Sequence, residues 1–212
     1  MIRTKAVVKY LGVILLFNSL FMLIAAVISF ANKEDSFYPL LISALIGVSI
    51  GFLSSFFIGK IGDIRFHEGL AISVLGWVTT CLSGLLPYLF WGGEFSFANA
   101  LFESVSGYTT TGATLLVDVE GLTKGLHFWR SSTSLIGGLG IILFVLLIIS
   151  EKKGSKSYIY RAEISDLSKL SFSDRSRNLI RSITTVYIKL VAAQTLLLTL
   201  LGMTFFDAIC HS

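Results

Sequence analysis

Thr109-Thr110-Thr111-Gly112-Ala113-Thr114 is the stretch of this chain whose residue types could do chemistry. β-Branched residues around a glycine make a poor helix, and an isolated run of this kind has no strand to pair with. Extended backbone whose carbonyls face water can replace the hydration shell of a cation, with threonine hydroxyls adding ligands at the inner edge. The glycine would supply dihedrals that a side chain forbids. An ordinary polar surface turn after an interfacial helix has a similar composition, so the elements around the stretch have to decide.

Those elements are apolar. Of 212 residues, 54% are hydrophobic and 14% charged, with a mean hydropathy of +0.80, and the apolar residues lie in unbroken blocks. A membrane span needs roughly 20 apolar residues of helix, because the backbone must satisfy its own hydrogen bonds in lipid. Five blocks qualify: Val7 to Phe30, Tyr38 to Ile58, Leu70 to Trp91, Leu126 to Ser150 and Ile183 to Met203. The first is too long for a signal-peptide core and reads as a retained span. Thirteen Lys and Arg lie in the N-terminus, the loop after the second span and the stretch from Glu151 to Ser182, against two, Lys33 and Lys124, in the alternate loops. That asymmetry places the N-terminus in the cytoplasm and the stretch from Gly92 to Gly125 outside. The net charge of +4 is explained by this topology and does not call for nucleic acid. Cys81 and Cys210 lack metal or disulfide spacing, and His67, His127 and His211 suggest no relay.

Between the third and fourth spans, Phe95 to Tyr108 is an amphipathic segment too short to cross, with Phe97, Leu101 and Val105 on one side and Asn99, Glu103 and Ser106 elsewhere. A short helix that enters the membrane and returns as extended chain is tolerated only where the non-helical backbone is buried in protein or lines water. On this reading Glu103 either attracts ions, along with the other outer acids Glu34, Asp35, Glu94, Asp118 and Glu120, or supports the loop from behind by hydrogen bonding. Arg130 is a functional intramembrane charge or a side chain snorkelling to the headgroups. Gly137, Gly138 and Gly140 give close helix packing or a hinge. The basic stretch 151–182 is a cytoplasmic connector, with a helix start at Ser171-Phe172-Ser173-Asp174.

The string from Ala100 to Thr114 (ALFESVSGYTTTGAT), followed by Phe128-Trp129-Arg130-Ser131 and Ile136-Gly137-Gly138-Leu139-Gly140-Ile141, closely resembles the first pore repeat of the TrkH branch of the Trk/Ktr/HKT potassium transporter superfamily. The resemblance covers the whole chain. It implies an all-α membrane fold: two leading transmembrane helices (1–66), one complete helix, pore-loop, helix repeat (67–150, with pore helix and filter at 95–114), a cytoplasmic connector (151–182) and a truncated second repeat (183–212) that ends at the start of a second pore helix, Gly202 to Ser212. Four such repeats surround one pore in that family. By match to its motif, Gly112 is the central filter glycine, Thr110 and Thr111 offer carbonyls to K⁺, Thr109 and Ala113 flank them, and Glu103 supports the filter.

The resemblance implies potassium uptake as the pore-forming part of a Trk-type system in a bacterial plasma membrane, with K⁺ as the transported ion and no organic cofactor. It implies as partners the lipid bilayer, the remaining pore repeats on the same longer chain or a separate one, a cytosolic TrkA-type nucleotide-binding subunit, and a homodimer. A fragment of a longer transporter is expected, since one repeat supplies one strand of four. The alternative is a non-conducting membrane subunit that associates with an intact transporter. An enzyme is not expected, because no nucleophile and base pair or membrane aspartate pair is present.

Overall fold

A computed structural model describes residues 2–59, 64, 66–119, 121–155 and 172–212, with the backbone alone at 66, 141–155 and 172–180. All of its regular elements are α-helices: α1 (Thr4–Ala31), α2 (Phe37–Phe57), α3 (Phe66–Gly84), α4 (Leu86–Trp91), α5 (Phe97–Tyr108), α6 (Lys124–Ser155), α7 (Phe172–Leu200) and α8 (Phe205–His211). Two compact units, Met1–Gly138 and Leu139–Ser212, are described separately. Among the described residues, Thr4–Ala31, Phe37–Phe57, His67–Trp91 and Arg181–Leu200 are long and apolar enough to cross a membrane. The fourth expected span falls in α6, a single 32-residue helix, about 48 Å long at 1.5 Å per residue; its side chains beyond residue 140 lie outside the described ones. So do residues 60–63, 65, 120 and 156–171, which include Lys60, Arg65, Glu120 and half of the expected connector. α7 begins at Phe172, beside the expected helix start.

In the first unit, α1 and α2 form an antiparallel hairpin that crosses through small residues. A Cβ on Gly51 would stand 2.7 Å from the carbonyl oxygen of Gly12, and one on Gly47 would stand 2.2 Å from Ser19 Oγ. Lipid tails are as apolar as leucine, so close backbone approach and dispersion hold such helices together. The hairpin turn is a left-handed helix stop. Lys33 has φ 57°, and the amides of Lys33 and Glu34 donate to the Phe30 and Ser29 carbonyls, the paired bonds of a Schellman motif.

The same turn holds the start of α6. The Glu34 carboxylate accepts from the Lys124 and Gly125 amides at 2.8 and 3.0 Å, satisfying donors that a helix N-terminus leaves open. Thr123 Oγ1 bonds Ser36 Oγ at 2.7 Å, and Asp35 accepts from Trp91 Nε1 at 3.1 Å. Around this end packs the core, with Met22, Ala25, Leu40, Ala44, Leu85, Tyr88, Phe95, Ala100, Leu126 and Trp129 buried. At the opposite end Lys9 Nζ donates to the Ile58 and Gly59 carbonyls, stopping α2. Arg3 makes a two-pronged ion pair with Glu68, Nε to Oε1 and Nη2 to Oε2 both at 2.7 Å.

The third expected span is broken. α3 ends at Gly84 and α4 restarts at Leu86, with Pro87 in its first turn. Proline has no N–H and its ring crowds the carbonyl four residues earlier, so the helix is interrupted here within the span His67–Trp91.

In the second unit α7 ends as α1 does. Gly202 has φ 103°, and the Gly202 and Met203 amides reach the Thr199 and Leu198 carbonyls. Thr204 caps α8, accepting from the Asp207 amide at 3.2 Å.

Gly51→Val should drive α1 and α2 apart and cost about 2–3 kcal/mol of stability, the scale of overpacking, whereas Gly59→Ala, with nothing within 4 Å of its added Cβ, should be neutral. Thermal unfolding in detergent compares them. Arg3→Ala leaves Glu68, whose side chain is 0% exposed, without this partner. The same assay should show a loss of about 2 kcal/mol or more, partly recovered by Arg3→Lys.

Candidate functional site

The site is built on α5. Ser96 caps it, accepting from the Asn99 amide at 3.3 Å, and its 12 residues span about 18 Å. That is too short to cross a bilayer core of about 30 Å. The sequence marks this segment as amphipathic without saying which face packs inward, and the structure decides it, with Leu101 of the apolar set lying against the core. Glu103, Ser104, Ser106, Gly107 and Tyr108 are buried, while Phe97 and Val105 are 59% and 38% exposed. The polar face is the one packed into the first unit.

Each buried polar group has a specific use. Ser104 Oγ donates to the Cys81 carbonyl of α3 at 2.8 Å. Tyr108 Oη donates to Asn18 Oδ1 of α1 at 2.5 Å, a buried bond across 90 residues of sequence. Trp129 Nε1, from α6, donates to the Gly84 carbonyl at the α3/α4 break, at 3.1 Å. Glycines let the backbones meet: a Cβ on Gly137 would stand 2.0 Å from the Tyr108 carbonyl oxygen, and one on Gly107 would stand 2.1 Å from Thr133 Oγ1. Gly137 therefore serves helix packing, the first of the two roles open to it. The C-terminal end of α5 is held from α1, α3 and α6 at once.

From this end the chain leaves as non-helical backbone. The amides of Thr110 and Thr111 bond the Gly107 and Ser106 carbonyls, again a Schellman stop, but the left-handed position is occupied by Thr110 with φ 55°. Glycine normally takes that place; a β-branched residue there costs roughly 1–2 kcal/mol. Gly112, two residues on, has φ 75°. A Cβ at Gly112 would meet nothing within 4 Å, so the glycine answers a demand of backbone conformation and not of space. Side-chain bonds hold the form: Thr109 Oγ1 donates to the Val105 carbonyl at 2.7 Å, the Thr109 and Thr111 hydroxyls are 2.7 Å apart, and Ser106 Oγ donates to the Ala113 carbonyl at 2.5 Å.

Residues 109–113 are exposed. Among the described residues, no donor reaches the carbonyls of Thr109, Thr110, Thr111 or Gly112, whereas the next one, of Ala113, is taken by Ser106. Four consecutive carbonyls without protein donors, on backbone with two left-handed residues, can offer oxygen to a cation.

Behind them sits Glu103, with its side chain 1% exposed. Its Oε1 accepts from Thr114 Oγ1 at 2.5 Å and from the Leu115 amide at 2.8 Å. Its Oε2 takes Arg130 Nε at 3.2 Å. Arg130, 23% exposed, is therefore engaged inside the protein, against the snorkelling alternative of the two readings open to it: a buried carboxylate without a cation would be far more costly than moderate desolvation of the guanidinium. Glu103 also leaves the set of outer acids. Of the others, Glu34 and Asp35 are occupied as described, and Asp118 accepts from the Gly121 amide at 3.1 Å, so these three serve the structure.

Sequence reasoning missed Arg130 as the partner of Glu103, the Thr114 and Leu115 donors, and the Asn18 to Tyr108 bond. Their separations, from 11 to 90 residues, carry no periodic signal. No group of three or more His, Cys, Asp or Glu that could hold a metal is found among the described residues.

In the second unit, α8 repeats the beginning of α5. Aligning the cap Thr204 with Ser96 places Asp207 on Asn99, Ala208 on Ala100, His211 on Glu103 and Ser212 on Ser104. The paired alanines are both 0% exposed. Ser212 also ties its helix to the preceding one, through Thr195 Oγ1 at 2.8 Å.

The family model of the TrkH cation transport proteins matches residues 41–212. The chain is 35% identical over 153 residues to the Trk system potassium uptake protein TrkH of Escherichia coli K12, covering 71% of this chain and 32% of that protein. It is 30% identical over 205 residues to an uncharacterised cation transporter of Methanocaldococcus jannaschii, covering 97% and 42%. The crystal structure of the potassium transporter TrkH from Vibrio parahaemolyticus superposes with a TM-score of 0.79 at 25% identity, over 99% of this chain and 42% of that one. The chain thus spans less than half the length of these relatives. With a helical membrane fold, a short buried helix ending in open carbonyls and a family match over most of its length, this multi-pass membrane protein belongs to the TrkH family of cation transport proteins.

Proposed function

We propose that this chain forms part of the pore of a Trk-type potassium uptake system, in which residues 109–113 are one strand of a selectivity filter. The observation that carries the reading is the run of four exposed carbonyls, Thr109 to Gly112, without donors among the described residues and presented by a short helix clamped on three sides. Inside a membrane such groups are tolerated only where they line water or meet a cation. K⁺ is bound by several oxygens of moderate field strength in place of its hydration shell. Carbonyls suit that role better than carboxylates, and the Glu103 carboxylate bonds the residues that follow the segment, Thr114 and Leu115. Thr110 and Thr111 contribute carbonyl ligands, Gly112 supplies the left-handed conformation, Thr109 and Ala113 flank them, and Glu103 supports the strand. A single strand supplies only its share of a coordination shell, so further pore repeats provide the rest.

The proposed topology keeps the N-terminus cytoplasmic, as the distribution of Lys and Arg requires, and turns residues 109–113 toward the outer mouth. Residues 1–66 are then leading helices, 67–150 the first pore repeat and 183–212 the opening of a second. The equivalence of α8 with the start of α5 supports that division. A cytosolic nucleotide-binding subunit of the TrkA type would meet the basic stretch 151–182. The chemistry is transport, and no catalytic role is assigned to any residue.

The test is K⁺ uptake in a host lacking its own uptake systems, with the chain supplied together with the polypeptide that carries the remaining pore repeats. Gly112→Ser puts a side chain at φ 75°, a cost of about 1–2 kcal/mol, and should reduce K⁺ preference over Na⁺ by roughly tenfold. Unchanged preference would remove Gly112 from the filter. Gly137→Ala should abolish uptake without altering any residue of the strand, since its Cβ would displace the Tyr108 carbonyl; normal flux with normal expression would show that the end of α5 need not be held.

A further inference from the structure

We infer that Arg130 is a specificity-determining residue, whose charge cancels that of Glu103 so that the carbonyl strand is held by a carboxylate yet senses no net charge behind it. The inference rests on the filter reading above and adds to it the electrostatics of the support.

Glu103 has two separate jobs, and the geometry divides them between its two oxygens. Oε1 takes both bonds from the returning strand, Thr114 Oγ1 at 2.5 Å and the Leu115 amide at 2.8 Å, whereas Oε2 takes, among the described residues, Arg130 alone, at 3.2 Å. An amide oxygen could accept the same two strand bonds, because neither needs a charged acceptor. The negative charge is therefore extra to the clamp. Left uncancelled in a site whose side chain is 1% exposed, it would act on a cation at the strand with little screening. A stronger anionic field favours smaller or more highly charged cations over K⁺, whereas neutral carbonyl dipoles do not. Arg130 arrives from α6, and its own carbonyl is fixed by Thr133 Oγ1 at 2.7 Å, so the positive charge is placed by the same helix that packs against the end of α5. The pairing also distinguishes the first repeat from the second, where alignment puts His211 in the place of Glu103.

The two charges make opposite predictions, which a merely structural pair would not. Arg130→Gln leaves the carboxylate uncancelled, so KM for K⁺ should fall and Na⁺ should be admitted more readily. Glu103→Gln keeps an acceptor for Thr114 and Leu115 but leaves the guanidinium uncancelled, so KM for K⁺ should rise. Each shift should be on the order of tenfold, for a unit charge ~10 Å from the ion at an effective dielectric of ~20. The double substitution E103Q/R130Q removes both charges and should bring KM back toward the wild-type value.

Uptake by the wild type fails only if the proposed function is wrong. If the wild type transports and both single variants move KM in the same direction, or neither moves it, the inference is overturned and the pair is structural. A second readout needs no transport. In the 212-residue chain reconstituted in lipid nanodiscs, the infrared difference between wild type and E103Q should show the loss of a carboxylate band. Loss of a protonated carboxylic acid band instead would overturn the charge pair directly.

Discussion

A backbone carbonyl at membrane depth must find a donor, water or a cation, and in the proposed pore the first unit is organised around that constraint. The carbonyls of Thr109 to Gly112 have no donor among the described residues. Conformations that turn carbonyls away from hydrogen bonds collapse unless something outside the strand holds them. Here the holding groups are at both ends. Upstream, the Schellman bonds and the Thr109 and Ser106 hydroxyls fix the departure from α5. Downstream, Glu103 fixes Thr114 and Leu115. The open segment between these ends is only as long as the proposed coordination function needs.

Thr110 shows what such holding costs. Its left-handed backbone would be easier for glycine, which ends α7 at the equivalent point with φ 103°. A strained residue persists when its surroundings over-determine it, and here they do: the amides of Thr110 and Thr111 are both bonded, and two residues earlier Tyr108 is held by the close approach of Gly137 and by Asn18. Strain at Thr110 and permissiveness at Gly112 give the strand its two left-handed positions. Only the second was evident from residue type.

The leading hairpin of α1 and α2 has a comparable purpose. Asn18 of α1 receives the Tyr108 hydroxyl, and Glu34 at the hairpin turn caps α6. These helices brace both the short helix and the helix that follows it. Their small-residue crossing, Gly12 and Ser19 against Gly47 and Gly51, holds the two bracing groups at a fixed separation. Stability of the hairpin and geometry of the proposed filter strand are thus coupled through a few buried polar bonds.

The sequence by itself determined the elements: long apolar blocks can only be helices in lipid, a stretch of threonines around Gly112 cannot continue one, and a short amphipathic segment before it cannot cross. It left Glu103 open between an ion-attracting charge and a support bonded from behind. Only the tertiary structure decided which face of α5 is buried, that Pro87 breaks the third span, and that Arg130 turns inward to Glu103. The physical reason is that helix periodicity records where apolar groups repeat along one element, and it assigns the apolar face to the core by default. In a membrane the outer surface is apolar too, so Phe97 and Val105 can remain exposed on the first unit while the polar face is buried. Partners such as Glu103 and Arg130, 27 residues apart, meet only after α5 and α6 have packed.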